Sequence, residues 1–213
     1  MRGNLKIMLV DDHTLFRKAL KQILKDTPGI ADVEEAISGK EVIKKISQKS
    51  FDCILLDICL QEENGIQVLK QIKRINPDIP VLIVSMYPER QYGIRALRAG
   101  ASGYVTKKVT PKDLRKAIHL ICQGKKYVTS DLAIELATEF DRPAKDPLHK
   151  ALTDRELQIL TLIASGKTTS QAARELNLSV KTVSTHRANI LRKMGFSNNA
   201  QLIYYAIKHQ LVY

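Results

Sequence analysis

The stretch Phe51-Asp52-Cys53-Ile54-Leu55-Leu56-Asp57 decides the fold. It is a short, mostly apolar run that ends in a carboxylate, which is typical of a strand buried on both faces of a parallel sheet. Three further runs end in a similar way, in Asp11-Asp12, in Ser85 and in Lys107. Because ligands bind beyond the carboxyl ends of parallel strands, we expect these carboxylates, the hydroxyl and the amine to converge on one edge of the sheet.

Predicted strands alternate with amphipathic helices along residues 5–122. Apolar residues recur at helical spacing between the strands, and Pro or Gly stops most of the helices. Right-handed crossovers then place helices on both faces of the sheet. We therefore predict an α/β domain of the flavodoxin-like, doubly wound (βα)5 type. Its predicted strands are Leu5–Val10, Val33–Ile37, Phe51–Asp57, Val81–Ser85 and Gly103–Thr106.

The sequence pattern changes after residue 122. Residues 123–149 are predicted to be a linker that is partly helical, with one isolated amphipathic helix at Ser130–Phe140. From Leu152 onward the pattern is wholly helical, with four helices, and Thr153 with Glu156 fits a capping box at the start of the first. The predicted domains are thus residues 1–122 and a smaller, all-α domain at residues 150–213.

Composition and charge narrow the class of protein. The 213 residues carry a net charge of +12, and 44% of them are hydrophobic. Residues 150–213 hold nine Lys or Arg, and no acidic residue follows Glu175, which favours a polyanionic partner. The three cysteines lack CxxC spacing, so we expect reduced thiols rather than a disulfide framework or a zinc site. No apolar run suits a membrane span and no signal peptide is apparent, so we expect a cytoplasmic protein without a membrane partner.

The carboxylates at the predicted edge suit a magnesium ion. Magnesium prefers oxygen ligands and usually keeps several waters. Asp12 and Asp57 are candidate direct ligands, and Asp11 would bind directly or through water. The backbone carbonyl of Cys59 would complete the protein's share of the ligands.

A phosphoryl group is the second ligand that this edge would hold. A cation that neutralises the oxygens of the transferred group allows a carboxylate to be phosphorylated. Lys107 would pair with the phosphoryl group, and Ser85 would donate a hydrogen bond to it. The alternative at each position is a merely solvated residue, which is improbable for the whole set. We assign no role to Asp52, and we interpret His13 as a surface residue at a helix start.

Residues 5–122 resemble the receiver domain of two-component response regulators. The resemblance implies that Asp57 accepts a phosphoryl group from a sensor histidine kinase, that Ser85 moves toward that group and that Tyr104 turns inward. The surface around the fourth helix, fifth strand and fifth helix would then carry the output. One departure is Leu60-Gln61, where many receivers have Met-Pro, so the loop lacks the rigidity of proline. The matching residues are Asp11-Asp12, Asp57, Gly65, Ser85, Tyr104 and Lys107.

A helix predicted at Val180–Met194 is interpreted as the second helix of a helix-turn-helix, which lies in the major groove of DNA. A charged helix face is most often only solvated, but the absence of acidic residues after Glu175 favours DNA. Short side chains on its exposed stripe suit base edges and thymine methyls, namely Ser184, Thr185 and Ala188. Longer or hydroxyl side chains suit phosphate contacts, namely Lys181, Thr182, Arg187, Arg192 and Lys193.

Residues 152–211 resemble a LuxR-type four-helix DNA-binding domain. Two departures are Ser170-Gln171-Ala172-Ala173, where the family usually has Lys-Glu-Ile-Ala, and the short residues at base-reading positions, which leave the operator sequence open. The family implies a dimer contact through the last helix, at Leu202, Ile203, Tyr205 and Ala206, with core packing as an equal alternative. The matching segments are Leu152-Thr153-x-Arg155-Glu156, Ile163-Ala164-x-Gly166 and Thr182-Val183-x-x-His186 with Ile190.

Together the two resemblances indicate a transcription regulator of the NarL/FixJ class rather than an enzyme. They imply a homodimer when phosphorylated, binding to two half-sites of double-stranded DNA, and RNA polymerase as a further partner. One alternative is a haloacid-dehalogenase-like phosphatase, which needs a second catalytic Asp where this chain has Cys59. Another is a phosphorylation-independent DNA-binding protein with a pseudo-receiver, which should lack an acidic or lysine position that is present here.

Overall fold

The computed structural model describes residues 4–60, 63–140 and 147–212. The chain divides into two compact units, Met1–Phe140 and Asp141–Tyr213. Within the described residues, every strand lies in the first unit. None of the helices in this part of the chain has the length and apolar character that crossing a bilayer requires.

The first unit is built on a five-stranded sheet in which every pair of neighbours is parallel. Its strands are β1 (Leu5–Val10), β2 (Ile30–Ala36), β3 (Cys53–Leu56), β4 (Val81–Ser85) and β5 (Gly103–Thr106). Their spatial order is β2-β1-β3-β4-β5. All residues of β3 and β4 are buried, which explains why these strands are continuously apolar in sequence. The predicted flavodoxin-like, doubly wound fold is confirmed.

The edge strand β2 begins at Ile30, earlier than the predicted Val33. In the part of the chain that the structure describes it pairs with β1 alone, and three of its seven residues are acidic, namely Asp32, Glu34 and Glu35. An edge strand is partly solvated and therefore needs no continuous apolar run, which is why its first residues carry little strand signal.

Helices follow the strands in turn, and side chains that are close in sequence cap the starts of three of the five. They are α1 (Thr14–Lys25), α2 (Gly39–Ile46), α3 (Gly65–Ile75), α4 (Glu89–Arg98) and α5 (Pro111–Cys122). Asn64 accepts a hydrogen bond from the backbone N–H of Ile66 and so caps α3. Thr110 caps α5, whose first residue is Pro111. The predicted inward residues of α5 are buried with the sheet residues in one core.

The sixth helix, α6 (Ser130–Phe140), has the predicted bounds but is not isolated. Leu132 is fully buried and lies against Gly93 of α4. A Cβ atom at position 93 would lie 2.7 Å from Leu132 Cδ1, which is too close. The Thr129 hydroxyl, just before α6, donates a hydrogen bond to the Glu89 carboxylate. The helix that was predicted within the linker therefore packs on α4.

The second unit packs three helices against α7. Its elements are a 3₁₀ turn (Leu148–Ala151), α7 (Asp154–Ala164), α8 (Thr169–Glu175), α9 (Val180–Met194) and α10 (Asn199–Lys208). The predicted capping box at α7 is confirmed, since Thr153 and Glu156 each accept a hydrogen bond from the other's backbone N–H. Helices α8, α9 and α10 all contact α7, and most of its residues are buried. It is therefore the central helix of this unit.

Candidate functional site

Three of the predicted residues meet in one buried ion cluster. Asp11 follows β1, Asp57 follows β3 and Lys107 follows β5, so the parallel sheet brings them to one edge. The Lys107 ammonium nitrogen lies 2.6 Å from Oδ2 of Asp11 and 2.7 Å from Oδ2 of Asp57. All three side chains are less than 5% exposed, which makes the amine the counter-charge of two carboxylates.

The Asp57 carboxylate is hydrogen bonded through both of its oxygens. The backbone N–H of Cys59 donates to Oδ1 at 3.0 Å, and Lys107 donates to Oδ2. Burial raises the pKa of Asp57, and the Lys107 charge opposes this rise without cancelling it. Burial also acts to lower the pKa of Lys107, but the carboxylates of Asp57 and Asp11 outweigh it and raise that pKa. The lysine is therefore held in its charged form.

The donor set at this edge fits a hard divalent cation. One ligand atom from each of Asp11, Asp12, Asp57 and His13 lies within 4.8 Å of the others. Three of the four are carboxylate oxygens, the type of ligand that Mg²⁺ prefers. The structure therefore brings together the three carboxylates that were predicted as ligands.

His13 has contacts beyond those of the surface residue that we predicted. Its ring is 59% exposed, yet Nδ1 lies 2.9 Å from Oδ1 of Asp12 and 3.3 Å from Oδ1 of Asp11. Its backbone N–H also donates to Oδ1 of Asp11 at 2.7 Å. The sequence signal for this was its position directly after the acidic pair.

Ser85 and Tyr104 are fully buried and belong to a second hydrogen-bonded group, which also includes the half-buried Tyr87. The Tyr104 hydroxyl donates to the carbonyl oxygen of Tyr87 at 2.8 Å, and the Tyr87 N–H donates to Oγ of Ser85 at 3.1 Å. Burial raises the pKa of Tyr104 well above its ordinary value, so the phenol stays protonated as a donor. The Tyr87 ring also packs against Tyr92 of α4, with 5.1 Å between the ring centroids. Tyr87, in the loop after β4, thus contacts both β5, through Tyr104, and α4, through Tyr92.

Several residues support the ion cluster although sequence reasoning gave them no role in it. The Phe16 ring lies under the Lys107 ammonium, 4.5 Å from nitrogen to centroid. Arg17 donates to the backbone oxygen of Asp11 at 2.7 Å. Gly65 has no room for a side chain, because a Cβ would lie 2.1 Å from the Asp57 carbonyl oxygen. Phe16 has the spacing of an ordinary core residue, so no sequence signal separates its contact with the lysine from simple packing.

In the second unit, α9 presents the predicted polar face. Val183, Ile190 and Met194 are buried as predicted, whereas Leu191 is only half-buried. The exposed predicted contacts are Lys181, Ser184, Thr185, Ala188, Arg192 and Lys193, and the half-buried ones are Thr182 and Arg187.

Two of the predicted phosphate contacts are also held by partners on other helices of the unit. Arg187 donates to Oδ1 of Asn199 at 2.8 Å, and the Lys193 ammonium lies 2.7 Å from Oε2 of the buried Glu156. These bonds restrict the orientation of both side chains. Lys181 and Arg192 project from the more exposed positions of the helix.

The predicted dimer contacts on α10 are mostly core residues. Leu202, Tyr205 and Ala206 are buried and Ile203 is half-buried, because this stripe of α10 faces α7. The contact prediction is therefore wrong for the three buried residues, and the alternative of core packing holds for them. The large apolar residues of α10 that are exposed are Tyr204 and Ile207, at 69% and 56% exposure.

Comparison with known proteins assigns both units to families. The family model "Response regulator receiver domain" matches residues 7–119, and the model "Bacterial regulatory proteins, luxR family" matches residues 150–206. Response regulator UvrY of Escherichia coli K12 is 31% identical over 208 residues, which cover 97% of this chain and 95% of UvrY. Response regulator protein VraR of Staphylococcus aureus is 32% identical, covering 98% of this chain and 99% of VraR.

A solved structure agrees with these matches. The crystal structure of a two-component response regulator of the LuxR family from Aurantimonas sp. SI85-9A1 has a TM-score of 0.60 and 32% identity. It covers 65% of this chain and 99% of its own. The haloacid-dehalogenase alternative fails on these matches, since the family consists of DNA-binding regulators and not of enzymes. The chain belongs to the NarL/FixJ-type response regulators, the phosphorylation-activated transcription regulators that join a receiver domain to a LuxR-type DNA-binding domain.

Proposed function

We propose that Asp57 is the residue that a sensor histidine kinase phosphorylates. The observation that carries this proposal is the position of its carboxylate, at a strand end, hydrogen bonded by Lys107 and by the Cys59 N–H and adjacent to Asp11. An Asp57 oxygen forms a bond to phosphorus while the bond from phosphorus to the kinase histidine nitrogen breaks. The imidazole leaves with that electron pair and is neutral because its other ring nitrogen carries a proton.

Asp11, Asp12 and Asp57 would hold Mg²⁺, together with the backbone carbonyl of Cys59. When bound, the cation supplies positive charge that neutralises the oxygens of the transferred group. Lys107 is poised to transfer one of its hydrogen bonds from a carboxylate to a phosphoryl oxygen. Ser85 would donate a hydrogen bond to the phosphoryl group from the end of β4.

Tyr104 and Ser85 would carry the signal to the receiver surface. Both contact the loop residue Tyr87, which also packs on Tyr92 of α4. Movement of Ser85 toward the phosphoryl group would therefore change the contacts of Tyr104 and the position of α4. We propose that the altered surface around α4, β5 and α5 controls homodimerisation and promoter binding.

The DNA-binding surface is proposed to be the exposed face of α9. Ser184, Thr185 and Ala188 would contact base edges. A dimer would place two such helices on two half-sites of double-stranded DNA. The phosphate contacts would be Lys181, Thr182, Arg187, Arg192 and Lys193.

The domain limits and cellular setting belong to the same proposal. We propose residues 1–122 as the receiver, 123–149 as the connection, which begins on the receiver surface, and 150–213 as the DNA-binding domain. RNA polymerase is a further proposed partner. The proposed location is the cytoplasm, where a bacterial regulator meets DNA.

Incubation of the full chain with acetyl phosphate and MgCl₂, followed by intact mass measurement, tests the proposal. The wild type should gain about 80 Da, the mass added by one phosphoryl group. Asp57→Asn should gain none, whereas Asp32→Asn, which changes an exposed acid of β2, should behave as the wild type. Omission of Mg²⁺ should abolish the gain in the wild type and in Asp32→Asn. Equal labelling of Asp57→Asn and the wild type would assign the phosphoryl group to another residue.

A further inference from the structure

Cys53 and Cys122 form a pair of thiols at the end of the sheet opposite to the ion cluster. Cys53 is the first residue of β3, and it lies roughly 13 Å along the strand direction from Asp57. It is fully buried in the core between the sheet and α5. Cys122 is the last residue of α5, is half-buried and packs against the same core.

The Cys122 side chain packs against the core that contains Cys53, and the two thiols are close enough to affect each other's pKa. The Cys122 sulfur also lies 3.9 Å from the carbonyl oxygen of Asp52, the residue before Cys53. The end of α5 thus lies against the start of β3, and the two cysteine side chains belong to the same core. Neither thiol is used by the proposed phosphorylation chemistry.

The two thiols have different surroundings. Cys122 has those of a cysteine that attacks the oxidant, and Cys53 has those of the resolving cysteine, which then forms the disulfide. The hydrogen bond from Cys53 lowers the pKa of the Cys122 thiol, and Cys122 is the more exposed of the two. Burial raises the pKa of Cys53 well above its ordinary value. A partly exposed thiol of lowered pKa is the one that an oxidant reaches first, because the thiolate is the nucleophile. The third cysteine, Cys59, has its pKa raised to about 12 by burial and by Asp57.

We propose that Cys53 and Cys122 form a reversible intramolecular disulfide when the protein reacts with hydrogen peroxide. The Cys122 thiolate sulfur attacks one peroxide oxygen, the O–O bond breaks, and Cys122 becomes a sulfenic acid as hydroxide leaves and is protonated to water. The Cys53 sulfur then attacks the Cys122 sulfur, and the S–O bond breaks. The leaving hydroxyl takes the Cys53 proton and departs as a second water. The peroxide is reduced by two electrons, and the two thiols are oxidised to one disulfide.

The bond would join the C-terminal end of α5 covalently to β3. A small thiol such as dithiothreitol would reverse it by thiol–disulfide exchange. Because the reaction needs neither Mg²⁺ nor a phosphoryl donor, its outcome does not depend on the proposed phosphorylation of Asp57.

The test uses the full chain, hydrogen peroxide and a thiol-alkylating reagent, without Mg²⁺ or a phosphodonor. After peroxide and before alkylation, the wild type should be about 2 Da lighter, since two hydrogens leave as the disulfide forms. When the protein is then denatured in the presence of iodoacetamide, only Cys59 should be alkylated. Peptide mapping should recover Cys53 linked to Cys122. Dithiothreitol before alkylation should restore all three reactive thiols.

Matched cysteine variants complete the test. Cys59→Ser should form the same linkage as the wild type, whereas Cys53→Ser and Cys122→Ser should form none. Mapping of the wild-type linkage needs no variant, so the test stands even if Cys53→Ser folds poorly. A linkage that involves Cys59, a linkage between two chains, or three free thiols after peroxide treatment would each overturn the proposal.

Discussion

The ammonium nitrogen of Lys107 lies 2.7 Å from Oδ2 of Asp57, and both side chains are less than 5% exposed. This contact ties the end of β5 to the end of β3. The same amine also contacts Asp11. Lys107 therefore has a structural task, the neutralisation of two buried carboxylates, in addition to the phosphoryl contact that we propose for it.

Replacement of this lysine should therefore lower the free energy of unfolding, whatever its effect on phosphorylation. In Lys107→Met the two carboxylates lose their counter-charge, and breaking a buried ion pair costs about 3 kcal/mol. We expect a lower free energy of unfolding of about that size, measured by urea denaturation. The control is Lys108→Met, the next residue along, which is exposed. Equal stability of the two variants would show that the Lys107 contact contributes nothing to the fold.

The packing of α6 on α4 leads to a second prediction. Leu132 is fully buried over Gly93, whereas Ile134 on the same helix is 62% exposed. Truncation of a buried leucine to alanine costs about 2–5 kcal/mol. In Leu132→Ala we expect the α6 amides to exchange hydrogen much faster, as followed by mass spectrometry on the full chain. Ile134→Ala should leave the exchange of α6 nearly unchanged, and similar protection in both variants would contradict the observed packing.

The Glu156–Lys193 contact should make the second unit sensitive to acid. Burial alone would raise the pKa of Glu156, but hydrogen bonds from Lys193 and Thr153 outweigh it and hold that pKa below 4.5. A carboxyl group whose pKa is lowered by folding stabilises the fold above its unfolded pKa. That contribution is lost as the pH falls from about 4.5 through the folded-state pKa.

In Glu156→Gln we expect a loss of about 2 kcal/mol at neutral pH and a weaker dependence of stability on pH in the acid range. Glu175→Gln is the control, because Glu175 forms an exposed pair with Lys167 that is worth at most about 1 kcal/mol. The protein is equilibrated in urea at each pH. A hydrogen-exchange pulse at one fixed pH then measures the folded fraction from the protection of α7 peptides. If wild type and Glu156→Gln lose stability in parallel between pH 5 and pH 3, groups other than this carboxyl carry the acid sensitivity, and the assigned role of Glu156 is wrong.

The exposed positions of α9 allow phosphate contacts and base contacts to be separated. Lys181→Ala should weaken binding to all DNA sequences alike and reduce the slope of log K against log salt by about 1. Thr185→Val keeps the shape of the side chain but removes its hydroxyl, so it should change the preferred sequence selected from a random DNA pool. Binding is measured for the phosphorylated full chain across a salt series. A sequence-dependent effect of Lys181→Ala would reassign that residue to base reading.

Much of the receiver fold could be predicted because the sequence patterns that indicate its strands and helices are local. Four apolar runs end in polar residues, and parallel topology alone brings those ends together, as Asp11, Asp57 and Lys107 show. The bounds of α9, Val180–Met194, also match the prediction, since Ser179 caps one end and Gly195 adopts a left-handed conformation at the other. These features depend on residues that are close together in the chain.

The features that escaped prediction depend on partners that are distant in sequence. Docking of α6 needs the missing side chain of Gly93 opposite Leu132, and no pattern within α6 reveals it. The buried stripe of α10 has the same apolar spacing as a dimer contact, so only the position of α7 identifies Leu202 and Ala206 as core. Contact between Cys53 and Cys122 likewise depends on where α5 ends on the sheet.

The central claim is that Asp57 itself carries the phosphoryl group, and chemical mapping of the adduct tests it most directly. Borohydride reduces an acyl phosphate on an aspartate to the alcohol, so it marks the modified residue permanently. After treatment with acetyl phosphate and MgCl₂, we predict the reduced residue at position 57, with none at Asp11, Asp12 or Asp52. A mark at any other carboxylate, or no mark in protein that has gained the phosphoryl mass, would contradict the account.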